Sequence, residues 1–169
     1  MALPRKLKNM NMFDDGESFH GQVASVTVPK LVRKMEEWRG GGMNVPIKID
    51  QGMEVLSCEW TCGGFMRTVM EQFGLAKHDG VGLRFAGAYQ REDSDSVDAI
   101  EIVMRGRHEE IDQGEAKPGE ETEFKVVSTV SYYKLIMNGT TLIEIDAVGM
   151  VEMVNGVDRL AAQRRAIGL

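Results

Sequence analysis

No stretch of this chain approaches the roughly 18 consecutive apolar residues that cross a bilayer. Its first residues, MALPRKLKNMNMF, are basic and lack the apolar segment of a secretory signal. Both absences point to a soluble protein made in the cytoplasm. Cysteine is scarce: Cys58 and Cys62 are the only two, and no histidine or further cysteine lies near them at zinc-ligand spacing. If both sit on one strand they share a face, held too far apart for an easy bridge, so two reduced thiols are the expectation. His20, His78 and His108 are scattered, and the chain has no Gly-x-Ser-x-Gly elbow, P-loop, Rossmann fingerprint or His-Glu-x-x-His. His108 beside Glu109 and Glu110 follows Arg105 and Arg107, which reads as a solvated strand edge rather than an acid/base site. An enzyme is not expected. Positive charge is short too: the formal net charge is -6 and the pI is near 5.2. That balance argues against nonspecific binding to nucleic-acid phosphates or to an anionic membrane.

What is present is alternation. The 169 residues fit one domain, long enough to bury a core without disulfides or metal. Asn138-Gly139 sits between two alternating runs, VVSTVSYYKLIM and TTLIEIDAV. It is the strongest short-range signal for a two-residue type I′ hairpin, because both central residues need positive φ. The simplest register then pairs Met137 with Thr140, Ile136 with Thr141, Leu135 with Leu142, Lys134 with Ile143, Tyr133 with Glu144 and Tyr132 with Ile145. It leaves both faces apolar, and such a hairpin wants a second layer or a neighbouring subunit.

Around it, Gln22–Val28, Met53–Cys62, Leu83–Tyr89 and Val97–Arg107 alternate as strands, with a short strand possible at Val151–Val154. Leu31, Val32, Met35 and Trp38 fit a helix or a strand running into a long loop, Gly40–Asp50. That loop joins three glycines to Met43, Val45, Pro46, Ile47 and Ile49, an arm both flexible and oily, expected to dock on something. Phe65, Met66, Val69, Met70 and Phe73 form a helical stripe stopped by Gly74, read as core. Glu109–Glu123 is an acidic loop without the spacing of a calcium site. Asp158–Ala166 reads as a short basic helix or tail. The sum is a mostly antiparallel β-barrel or sandwich with one flanking helix.

Several segments together resemble a known family. FDDGESFHG from Phe13, then Val28-Pro29-Lys30-Leu31, Arg39-Gly40-Gly41-Gly42-Met43, Pro46 and Ile49-Asp50 are similar to the opening half of the major tail tube proteins of contractile-tailed (myovirus) phages and R-type pyocins. Phe73-Gly74-Leu75, Ser131-Tyr132-Tyr133-Lys134-Leu135, Glu144-Ile145-Asp146 and Asn155-Gly156-Val157-Asp158 match the later half, in order. The resemblance implies a structural protein with no active site and no cofactor. It implies one tail tube domain over 1–169, with an N-terminal arm 1–13, a long inter-ring loop 38–50 and a C-terminal tail 156–169. Homo-hexameric rings would stack into a tube inside a contractile sheath, with strands of neighbouring subunits joined into one inner barrel. The lumen would hold a tape measure protein and then conduct DNA without binding it specifically, and the tube protein itself would not insert into a membrane. Assembly would take place in the host cytoplasm and the mature protein would lie in the virion tail or pyocin particle. The tube of a headless bacteriocin or of a type VI secretion system shares this architecture. A monomeric β-barrel binding module is the alternative from another class.

Carried onto this sequence, the ring-to-ring anchors are Trp38, Arg39, Met43, Val45 and Ile47, and the inter-subunit sheet candidates are Tyr132, Tyr133, Leu135 and Ile143. A tube that passes DNA should not hold it, and acids facing the lumen repel phosphate at short range. Glu54, Glu59 and Glu101, on strand candidates, are the expected lumen acids.

Overall fold

Twelve strands and two short helices account for the chain in a computed structural model that describes residues 2–169. Met1, at the head of the expected N-terminal arm, lies outside them. The strands are β1 (Lys6–Asp14), β2 (Glu17–Ser18), β3 (Val23–Thr27), β4 (Arg33–Trp38), β5 (Ile47–Met53) and β6 (Leu56–Cys62). Helix α1 (Arg67–Glu71) follows, then β7 (Val81–Gln90), β8 (Val97–Asp112), β9 (Phe124–Met137), β10 (Thr140–Asp146), β11 (Val151–Val154), β12 (Val157–Asp158) and α2 (Ala161–Ala166). Ten strands form one antiparallel sheet, in the order β12-β11-β10-β9-β8-β7-β1-β2, with β6 on the first half of β9 and β3 on β6. Most of the expected N-terminal arm is thus β1, a strand of the main sheet paired with β7.

The sheet curls because its two ends are tied. Phe19, just after β2, donates its N–H to the Met12 carbonyl at 2.9 Å and stacks its ring on Trp60 of β6 at 5.6 Å. Between these ends lies the core: Met12, Phe19, Cys58, Trp60, Cys62, Val81, Leu83, Phe85, Ile102, Met104, Phe124 and Val126, all buried. Period-two alternation puts them on one face of β1, β6, β7, β8 and β9. Cys58 and Cys62 share that inner face as free thiols, and burial pushes them up to about 12 and about 11.

Three expectations change here. Asn138 and Gly139 do form the turn, with φ of 48° and 79°, but the register slips by one residue after Thr141. Ile143 pairs with Leu135 and Ile145 with Tyr133, so Leu142 is bulged out and both isoleucines turn to the core face. The hairpin is therefore not apolar on both faces. Met53–Cys62 is not one strand: it breaks at Glu54-Val55, and the chain turns there from β5 into β6. Helix α1 has only five residues. Met66 before it is extended, and Gly74, at φ 81°, turns the chain beyond Phe73. Hence Met66 and Val69 are buried while Phe65 and Phe73 stand exposed.

Candidate assembly surfaces

The oily arm is a β-hairpin. β4 and β5 form a separate two-stranded sheet whose register sets Trp38 opposite Ile47 and Glu36 opposite Ile49. Every residue of β4 is exposed. Trp38, Val45 and Ile47 are 58%, 67% and 52% exposed, Ile49 shares the face of Trp38 and Ile47, Met35 stands exposed on the reverse face, and Leu31 and Val32 are exposed just before β4. The tip is ordered by its own contacts: Arg39 Nε donates to the Met43 carbonyl at 3.0 Å, and the Gly40 N–H meets Met43 Sδ at 3.2 Å. The base is clamped by Arg33, which bonds Asp50 and, across to β11, Glu152, each at 2.7 Å. Those pairs raise the Arg33 pKa, and the Gly52 N–H and Arg33 hold Asp50 below the usual carboxylate range. The geometry brings together all five anchor candidates, Trp38, Arg39, Met43, Val45 and Ile47.

Seven exposed apolar residues on one projecting hairpin are not a folding feature of the subunit, because burying them at home would stabilise it. A 680 Å³ cleft separates the hairpin base from β10, β11 and α2, with Val55, Leu56, Ile145 and Leu160 on its walls.

The second surface is the open face of the main sheet. Antiparallel partners share a face, so one rung across it reads Phe13, Arg84, Val103, Lys134, Glu144 and Met153. Arg84 lies over the Phe13 ring at 4.2 Å. Glu59 and Glu101 are both on this face, next to Val127 and Ile136. Glu54 is not, since it sits in the link between β5 and β6. Lys125 approaches Glu59 at 3.4 Å, and Arg105, Arg107 and Lys134 interleave with Glu110, Glu144 and Asp146. The face is a mosaic of both signs rather than an acidic wall.

Of the inter-subunit sheet candidates, only Tyr132 looks outward, its hydroxyl donating to Glu144 Oε1 at 2.8 Å. Burial and that carboxylate push the phenol up to about 12. Tyr133 is 3% exposed within the subunit's own core, and Leu135 and Ile143 pack at the rim of that core. The bulges, one at Leu142 and one where Ser131 is passed over between β8 and β9, put them there.

His108 is the clearest reversal. It is not a solvated edge but 6% exposed, inside a polar knot between β1, α1, β8 and β9. Gln72 Nε2 donates to Asp14 at 2.8 Å and to Asp15 at 3.0 Å, so its Oε1 must accept from His108 Nε2, also at 2.8 Å. That fixes the proton on Nε2 and leaves Nδ1 to accept from the Ser128 hydroxyl at 2.9 Å. Desolvation lowers the His108 pKa to about 4 and raises that of Asp14 to about 6. The imidazole is neutral at pH 7, and its 3.9 Å approach to Asp14 is not an ion pair. Serine, histidine and aspartate meet here, but Ser128 is 1% exposed, closed off from solvent within the sheet. The knot ties α1 to the sheet. Strict alternation with Ile102 and Met104 was the available sign that His108 faces inward.

A curled antiparallel sheet with one flanking helix and a projecting apolar hairpin defines a structural subunit made to associate. The same fold occurs in a chain of the extended sheath-tube complex of the extracellular contractile injection system PVC, with a TM-score of 0.59 over 80% of this chain and 91% of that one. A chain of the tube-terminating cap of the anti-feeding prophage gives 0.60 over 80% and 93%. Identity is 10% in both, so they speak for the fold alone. The sequence goes further: residues 4–168 match the phage tail tube protein FII family, and the chain belongs to it. It is 51% identical to the tail tube protein of Escherichia phage P2 over the full length of both. With the major tail tube protein of Serratia phage KSP20 it shares 35% identity over 92% of this chain and 91% of that one.

Proposed function

We propose that this chain is the repeating subunit of a contractile-tail tube: homo-hexameric rings that stack through the β4–β5 hairpin, surrounded by a sheath protein. The observation that carries this reading is the hairpin, an ordered, clamped element with an unburied row of Trp38, Val45, Ile47 and Ile49. A contact of this kind between rings buries surface that a monomer leaves in water, worth roughly 25 cal/mol per Å². Trp38 is the expected hot spot, with Arg39, Met43, Val45 and Ile47 around it.

In the same reading Tyr132, paired on both sides within its own sheet, is not a joint between subunits, and the open sheet face that carries it lines the lumen. Its interleaved charges suit a channel that holds a tape measure protein and then passes DNA. Glu59 and Glu101 repel phosphate locally, Lys125 is held near Glu59, and Arg105, Arg107 and Lys134 alternate with Glu110, Glu144 and Asp146, so no continuous basic track forms along which a strand would stick. Assembly belongs to the host cytoplasm and the finished tube to the tail particle.

The test is negative-stain microscopy and analytical ultracentrifugation of the full chain, alone and with the tail initiator complex. Rings of six or hollow filaments are expected. A protein that remains monomeric with the initiator present contradicts the proposal.

A further inference from the structure

We propose that the hairpin tip, residues 38–48, docks on a second copy of this chain, in the apolar cleft beneath that copy's acidic loop, residues 113–123. The inference rests on the tube reading and adds to it the surface that receives the hairpin.

Polarity comes first. The hairpin returns to the main sheet at the Leu56 end of β6, where the Glu54 N–H bonds the Val32 carbonyl at 2.9 Å. The acidic loop belongs to the opposite end, where Cys62 pairs with Phe124 and Asp112 with Lys125. Seven residues of strand separate the two ends by roughly 20 Å. A head-to-tail contact that repeats without closing needs its two complementary patches on opposite sides of one subunit.

Chemistry comes second. The cleft has a volume of 550 Å³ and is walled by Phe65, Ala116, Pro118 and Phe124. Phe65 is 64% exposed, edge-on to Phe124 at 6.0 Å, with no partner on its outer side. Those rings and the proline match a tip carrying Trp38, Val45, Pro46 and Ile47.

Charge comes third. From residue 38 to 48 the tip holds Arg39 and Lys48 and no acid, while the loop holds Glu115, Glu120, Glu121 and Glu123 against Lys117 alone. Lys117 pairs with Glu120 at 2.9 Å. Among the described residues neither Arg39 nor Lys48 makes a salt bridge, and neither do Glu115, Glu121 and Glu123. Lys48 stands across the hairpin from Glu37 without reaching salt-bridge distance, and Arg39 has no acid opposite it, so the tip offers positive charge, Arg39 first, to the negative loop.

Charge swapping in the full chain tests this. Tip reversal (Arg39→Glu with Lys48→Glu) and rim reversal (Glu121→Lys with Glu123→Lys) should each cut pelleted filament by about tenfold, with rings still present in ultracentrifugation. All four changes in one chain should restore it. Filaments unaffected by rim reversal, or a combined chain as poor as either parent, overturn the docking. A second measurement pairs Val45→Cys with Ala116→Cys under a short bismaleimide linker, since the native thiols are buried and protonated. A ladder of linked copies is expected, and filaments without a ladder overturn the docking while leaving the tube reading intact. If the unaltered chain makes neither rings nor filaments, the tube reading falls and takes this inference with it.

Discussion

The two tryptophans of the chain occupy opposite worlds. Trp60 is 1% exposed, stacked on Phe19 at the seam where the curled sheet meets itself, and Trp38 is 58% exposed on a hairpin that touches the rest of the subunit only at its base. The same side chain serves folding in one place and association in the other. The difference is what surrounds each: the sheet sets Val26 and Val126 on either side of Trp60, with Phe19 and His108 against its ring, whereas β4 and β5 supply each other and then stop. Stability should therefore reside in the sheet, and assembly in the hairpin.

The sheet is most vulnerable at Gly106. A Cβ there would lie 1.8 Å from the Thr129 carbonyl oxygen, which is backbone of the neighbouring strand and cannot swing aside. Gly106→Ala must part β8 from β9 at the bulge, in the centre of the sheet, and is expected to leave no cooperative urea transition. Glycines of the hairpin tip meet no such wall: Gly41→Ala, with open space at its Cβ, should melt like the parent. Trp60→Ala comes next. It removes the largest fully buried side chain and should cost about 3–5 kcal/mol in the urea midpoint. A loss under about 1 kcal/mol would place the seam's stability elsewhere.

Titration sharpens the contrast, since the buried titratable pair lies in the sheet. His108, depressed from 6.5 to about 4, contributes stability that is present above pH 6.5 and lost as pH falls toward 4. Asp14, raised from 3.8 to about 6, does the reverse: its contribution is present below pH 3.8 and lost as pH rises through 6. Desolvation is the first cause of both, with Asp15 and Glu17 adding their charge to Asp14 and Asp15 favouring the imidazolium. In the parent the two nearly cancel between pH 6.5 and 4. Asp14→Asn should expose the histidine, losing roughly 3 kcal/mol relative to the parent over that range. His108→Gln should expose the aspartate and gain by a similar amount. Parallel pH profiles for all three proteins would remove the knot from the energetics.

The sequence made the turns and the alternation legible, and with them the sheet. Asn138-Gly139 marked a hairpin, Gly74 a turn that falls beyond the shorter helix, and the oily Gly40–Asp50 segment an element that stands apart. What it concealed were single-residue events. A bulge at Leu142 leaves no mark in an alternating run, yet it sends Ile143 and Ile145 inward and removes the apolar excess that had argued for a neighbour on that hairpin. The case for association thus passes from β9–β10 to β4–β5. His108 was hidden by its charged sequence neighbours, although those neighbours alternate with it and face the other way. The cleft under the acidic loop was invisible because Phe65 and Phe124 are far apart in sequence and join only through the β6–β9 pairing.

Trp38 is the residue at which folding and assembly should part most widely. Trp38→Ala removes a side chain that keeps more than half of its surface in water in the monomer, so the urea midpoint should move by about 1 kcal/mol or less. The clamp of Arg33 on Asp50 and Glu152 holds the hairpin base independently of Trp38, and the tip keeps its Arg39 and Met43 contacts. Filament assembly should nevertheless fall sharply, because an aromatic anchor at the centre of a contact commonly carries 2 kcal/mol or more, about thirtyfold in affinity at each joint. A tube multiplies that loss along its length, since every ring must make the contact again. Trp38→Ala protein that melts well below the parent would show that the hairpin packs on its own subunit. Trp38→Ala protein that both melts and assembles like the parent would move the anchor to Val45 and Ile47.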